Sequence, residues 1–146
     1  MTQTNLLRGG CHCGNIRVAF GTSKPLGDLV PRVCECSFCA KHGASYVFDS
    51  DASLLIEATV KDAVGEYRQG LEIARFLVCR RCGVLIAALF DDEAGSYGAV
   101  NARCLEDTSG LGPPQVIPPR SSTGEQRRRL WAKVWTPGVR FSVSES

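Results

Sequence analysis

The chain has 146 residues, the size of one domain with one core, and its 44% hydrophobic content is near the globular average, so a packed core needs no help from a partner. Seventeen basic residues against 15 acidic ones leave a formal charge of +2, which gives no reason to expect a nucleic acid or other polyanion as the main partner. No apolar stretch reaches the length of a transmembrane helix, and residues 1–10 carry no apolar run of signal-peptide length, so the expected setting is the cytoplasm, with no membrane partner.

In chain order, residues 15–20 alternate, with Ile16, Val18 and Phe20 on one face of a strand. A short helix is expected after Ser37, through Ala40 and Lys41, until Gly43 stops it. Residues 45–48, 54–59, 73–78, 84–90 and 97–102 also read as strands, rich in Val, Ile, Leu and aromatics. Beyond Gly110 the composition changes, and Gly112-Pro113-Pro114 and Pro118-Pro119 form a crossing that can be neither regular helix nor central strand. Ser122 followed by Glu125 fits a capping box, which predicts a helix over about 125–134, ending before Thr136-Pro137. On that helix Leu130 and Val134 make one i, i+4 pair and Trp131 and Trp135 another. They form an apolar face for docking, with Arg127, Arg128 and Arg129 turned to water, a reading preferred to stacking of the tryptophans on nucleic acid. There is no repeat. Residues 1–146 are expected to form one mainly β domain with a short C-terminal helix.

Eight cysteines are the informative feature. In a reducing cytosol they point to metal and not to disulfides. They fall into Cys11-His12-Cys13-Gly14, Cys34-Glu35-Cys36-Ser37-Phe38-Cys39, Cys79-Arg80-Arg81-Cys82-Gly83 and a lone Cys104. In extended backbone, residues i and i+2 project to the same side, so CxC aims two sulfurs at one point. CxxC in a tight turn does the same, and a glycine after either motif can take the positive φ that lets the chain leave. Soft thiolates select zinc or an iron–sulfur cluster over magnesium or calcium. Counting suggests that Cys11, Cys13, Cys79 and Cys82 close one tetrahedral site, while Cys34, Cys36 and Cys39 leave a second one open. The spacing does not force this pairing. Cys104 could complete the second site and make both zincs structural. A three-cysteine group weighs against a cluster, which wants four.

These motifs, in this order and with these glycines, resemble the signature of the glutathione-dependent formaldehyde-activating enzyme family, also called the CENP-V/GFA domain. Val100-Asn101-Ala102-Arg103-Cys104-Leu105 is similar to a further segment of that family, so the motif-bearing part covers about 9–107 and the tail about 108–146. The resemblance implies twisted antiparallel sheets in a tent-like arrangement and two zinc ions per chain. The four-cysteine zinc would be structural. The zinc of Cys34, Cys36 and Cys39 would be catalytic, in the reversible addition of the glutathione thiol to formaldehyde that gives S-(hydroxymethyl)glutathione, a carbon–sulfur lyase reaction. Glu35 stands where relatives often have histidine, and the tail carries no family motif.

Three thiolates on a divalent zinc leave a charge of about −1 and one open position. A thiol entering there would be deprotonated, or an aldehyde carbonyl polarised. Electron-rich sulfurs weaken the Lewis acid, which favours thiol handling over water activation. His42 reads as an acid or base, or as a polar residue at a helix end. Asn101 and Arg103 could share a face toward the site, with Arg103 receiving a glutathione carboxylate or forming a surface salt bridge. Arg80 and Arg81 could offset thiolate charge. The leading expectation is a zinc-dependent carbon–sulfur lyase acting on glutathione and a small aldehyde. The alternatives are a non-catalytic zinc protein that carries glutathione and a zinc-stabilised interaction module.

Overall fold

The computed structural model describes residues 5–68, 73–117 and 123–144. The strands are β1 (Asn5–Gly10), β2 (Ile16–Thr22), β3 (Arg32–Cys34), β4 (Ser45–Val47), β5 (Ser53–Ala58), β6 (Val64–Arg68), β7 (Arg75–Cys79), β8 (Leu85–Asp92), β9 (Gly95–Asn101), β10 (Gln115–Ile117), β11 (Thr136–Pro137) and β12 (Arg140–Val143). Helix α1 (Ser37–His42) follows β3, and α2 (Gly124–Val134) precedes β11. All six strands expected from the sequence are present, as are both helices, with ends shifted by a few residues.

The smaller sheet runs β1-β2-β5-β12, and the larger runs β10-β3-β4-β9-β8-β7-β6 with β11 also paired to β9. The protein is mainly β, but its sheets are mixed and not wholly antiparallel as expected. β12 lies parallel to β5, and β10 parallel to β3. Both parallel strands belong to the tail beyond Gly110. That tail meets β3 and β5 after excursions of the length parallel pairing requires.

Alternation builds the smaller sheet. Ile16, Val18 and Phe20 of β2, and Leu54, Ile56 and Ala58 of β5, turn inward while Arg17, Ser53 and Glu57 stay outside. Those inward residues pack with Leu77, Ala87, Leu89 and Val100 of the larger sheet in one core. The larger sheet carries a second core on its other face, where Phe76, Ala88, Phe90 and Ala99 meet Tyr46, Cys39 of α1 and Trp135. β8 is therefore buried on both faces over residues 85–90. This explains why it reads as a continuous apolar run and not an alternating one.

The tail helix docks, but not through the whole face expected. Trp135 is buried, stacks on Trp131 with ring centroids 4.5 Å apart, and meets Phe90 edge-on. Leu130, by contrast, is 45% exposed, since it sits one position round the helix from Trp131 and so points off the docked face. The capping box sits one residue later than read. Thr123 Oγ1 accepts from Gln126 N, and Gln126 Oε1 accepts from Thr123 N. Ser122 and Pro118-Pro119 lie outside the described residues.

Candidate metal centres

Two turns from different sheets build the first centre. The chain between β1 and β2 folds back at Cys11, where Cys11 N donates to Ile16 O, Ile16 N donates to Cys11 Sγ at 3.2 Å, and Gly14 takes φ 86°. The chain between β7 and β8 repeats the device. Cys79 N donates to Val84 O, Gly83 N donates to Cys79 O, and Gly83 takes φ 79°. A residue with a Cβ is strained at such φ values, so both glycines stand where the turns need them. Asn15 ties the first turn down, its amide exchanging two hydrogen bonds with the Val60 backbone.

The four sulfurs of Cys11, Cys13, Cys79 and Cys82 converge to within 4.8 Å of one another. Cys13 Sγ lies 3.6 Å from both Cys11 Sγ and Cys79 Sγ. Metal–sulfur bonds of about 2.3 Å in tetrahedral array would set sulfurs about 3.8 Å apart, so the group fits a tetrahedral ion. All eight cysteines are free thiols. For Cys82, burial works against ionisation, but hydrogen bonds from the backbone at Cys13 and Val84 and from Cys79 and Cys11 outweigh it and bring the thiol down to about 6.

The second centre comes from one short segment. Cys34 ends β3, Cys36 caps α1 by accepting from Cys39 N at 3.3 Å, and Cys39 sits in the helix's first turn. Gly43 closes the helix in the left-handed conformation. The sulfurs of Cys34, Cys36 and Cys39 also lie within 4.8 Å of one another. Cys39 is buried, while Cys34 and Cys36 are half-buried. A hydrogen bond from Cys39 leads the forces on Cys34. Together with bonds from Cys36 and the Arg127 charge it overcomes burial and brings that thiol down to about 6. The same bond to Cys34, and then burial, push the Cys39 thiol up. Burial, followed by its bond to Cys39, pushes the Tyr46 phenol up.

Cys104 belongs to neither sulfur group. It is buried in the first core beside Cys11 and donates to Ile86 O at 3.8 Å. Burial pushes its thiol up to about 12. The three-cysteine group therefore gains no fourth sulfur from this chain among the described residues. Beside it opens a cavity of about 970 Å³, whose lining includes Cys34, Glu35, Gly43, Arg103, Leu111 and Pro114.

Other sequence-based candidates separate here. Asn101 does not share a face with Arg103, because β9 ends there and a 3-10 turn (Ala102–Cys104) begins. Asn101 is buried, donating to Leu85 O and accepting from Arg103 N. Arg103 is exposed, lines the cavity, and donates to Gly43 O rather than to a carboxylate. His42 is exposed beside the Phe38 ring, and Arg80 donates to Asp62 O. Arg127 does not face water with Arg128 and Arg129. It is half-buried and acts on Cys34. Sequence reasoning missed that, and it missed Tyr46, whose hydroxyl lies 3.0 Å from Cys39 Sγ. Neither has a motif; Tyr46 comes from β4, the strand after α1, and the Arg127 charge comes from the tail helix.

The fold and these groups define a β-rich protein with two cysteine sites able to hold metal ions. A family model described as "Glutathione-dependent formaldehyde-activating enzyme" matches residues 6–119, and the chain belongs to that family. Membership links it to glutathione and formaldehyde chemistry. A similar solved structure is a Rhodobacter sphaeroides protein, a Northeast Structural Genomics target. It is 25% identical and superimposes with a TM-score of 0.52 over 74% of this chain and 99% of its own. No helix among the described residues is long and apolar enough to cross a membrane.

Proposed function

We propose that this protein is a zinc-dependent carbon–sulfur lyase that reversibly joins a thiol, glutathione in the first instance, to formaldehyde or another small aldehyde. In this reading residues 1–146 form one cytoplasmic domain with two zinc ions. One is structural, on Cys11, Cys13, Cys79 and Cys82. The other is catalytic, on Cys34, Cys36 and Cys39. The observation that carries it is a convergent set of three sulfurs with no fourth among the described residues, opening on a cavity of about 970 Å³. Closed four-ligand sites stabilise folds, whereas three protein ligands leave a position for substrate.

Zinc bound there would stabilise the thiolate of an entering thiol and polarise an aldehyde carbonyl. In the addition, the thiol sulfur bonds to the aldehyde carbon, the C=O π bond breaks, and the thiol proton ends on that oxygen. The reverse reaction retraces these changes. The chain's contribution is placement. Arg103 offers a guanidinium for a carboxylate and Glu35 a carboxylate for an ammonium, both on the cavity that Cys34 enters. Glutathione carries both groups. The volume lies within the range of about 300–1,000 Å³ usual for small-molecule sites.

Two-dimensional exchange NMR on formaldehyde and glutathione tests the proposal. Metal-loaded protein should raise the exchange rate between free glutathione and its hydroxymethyl adduct, and a Cys34→Ser/Cys36→Ser variant should not. Exchange at the uncatalysed rate with glutathione still bound would point to a carrier. No glutathione binding, together with salt-dependent DNA retention, would point to an interaction module.

A further inference from the structure

We infer that Tyr46 is a positioning residue of the three-cysteine centre: its phenol hydroxyl donates a hydrogen bond to the Cys39 sulfur and tunes that one ligand. The inference rests on the metal-site reading above. Tyr46 is only 7% exposed, and its hydroxyl lies 3.0 Å from Cys39 Sγ. β4 holds it there from both sides, with Tyr46 paired to Arg32 of β3 and to Asn101 of β9. A buried tyrosine hydroxyl needs a partner. A metal-bound cysteine is a thiolate with no proton of its own, so the direction of the bond is fixed: the phenol donates and the sulfur accepts.

The three sulfurs are not equivalent in this respect. Cys34 and Cys36 are partly open to water, whereas Cys39 is 1% exposed. The sulfur that solvent cannot reach is the one that receives the phenol. Charge-assisted hydrogen bonds are the stronger kind, and they draw electron density from the acceptor. The bond would make Cys39 a weaker donor to the metal and leave the ion a better acceptor for substrate. It also orients the Cys39 side chain toward Cys34 and Cys36. Groups outside the ligand set that do this elsewhere are worth about 10–100-fold in metal affinity.

Cobalt(II) substitution of the full chain reads the bond directly, since thiolate-to-cobalt charge transfer reports electron density on sulfur. Wild type should take up two cobalt ions. Tyr46→Phe keeps the ring and removes the donor. It should shift the charge-transfer band of the three-cysteine site to lower energy and, with the loss of orientation outweighing the gain in donor strength at Cys39, reduce that site's affinity about tenfold by chelator competition. The four-cysteine bands should stay unchanged. A folded Tyr46→Phe protein with wild-type bands and affinity would overturn the inference and leave the metal-site reading intact. Wild type binding a single ion would overturn both. Should Tyr46→Phe fail to fold, 3-fluorotyrosine placed at position 46 decides. Its more acidic phenol should move the band to higher energy, and no movement would overturn the inference.

Discussion

The two sulfur groups should answer mutation in opposite ways, because they close very different lengths of chain. Cys13 and Cys79 are 66 residues apart and come from different sheets, whereas Cys34, Cys36 and Cys39 lie within one short segment ending in α1. Treated as cross-links, a closure of that length restricts the unfolded chain by about 4 kcal/mol, and one of about five residues by about 2 kcal/mol. Metal affinity adds to the larger staple, since binding at structural sites of this kind is folding energy on the order of 10 kcal/mol, against a total stability of about 5–15 kcal/mol. Cys79→Ser/Cys82→Ser should therefore give an unfolded or insoluble chain. Cys34→Ser/Cys36→Ser should fold, with near-native circular dichroism and about one zinc per chain by elemental analysis. A serine hydroxyl in place of Cys36 Sγ can still cap α1, where that sulfur now accepts from Cys39 N. The assays are circular dichroism, solubility and zinc content of both variants, measured against wild type with two zincs. A soluble, native-like Cys79→Ser/Cys82→Ser protein beside a collapsed Cys34→Ser/Cys36→Ser protein would refute the assignment of the two roles.

Three other outcomes follow from single sites. Trp135→Ala should cost about 3–5 kcal/mol in denaturant titration, as truncations of buried aromatics do, whereas Leu130→Ala, on the exposed side of α2, should stay within about 0.5 kcal/mol; equal effects would mean that the helix docks differently. Arg103→Ala should raise the KM for glutathione about fivefold with little change in kcat, an exposed charged contact being worth about 1 kcal/mol; an unchanged KM would remove Arg103 from the substrate site. In metal-stripped protein near pH 7, iodoacetamide should label Cys34, held down to about 6 mainly by its bond from Cys39, well before Cys104, pushed up to about 12 by burial. Labelling of Cys34 should fall off only below about pH 6, where its thiolate is lost; peptide mapping that finds Cys104 modified first would contradict this placement.

Much of this was legible in the chain because the signals are local. Period-2 alternation located β2, apolar composition located β5 and β8, Gly43 marked the end of α1, and the cysteine spacings with Gly14 and Gly83 located the turns that aim the sulfurs. What escaped was whatever another element supplies. β3 is three residues long, and the four residues of β12 are all exposed, so neither has a core-facing pattern to detect. Both are strands because a neighbour offers an edge, and their parallel partners cannot be read from periodicity. The 3-10 turn after β9 breaks the alternation that would put Asn101 and Arg103 on one face. The hydroxyl of Tyr46 and the charge of Arg127 reach the three-cysteine group only in the folded chain, and no local pattern marks either.

The placement of the two groups carries the last step. Cys11 and Cys79 are part of the core between the sheets, while Cys39 belongs to the core on the other face of the larger sheet. The apolar strands β8 and β9 separate them. A centre that staples two sheets must be closed, since any ligand it lent to a substrate would be lent at the expense of the fold. In the proposed assignment a centre confined to one segment is free of that constraint, since it joins no two sheets. Cys104 is held on the stapled side, in the core with Cys11. The sheet keeps its thiol apart from the three-cysteine group, whose Cys39 lies in the other core.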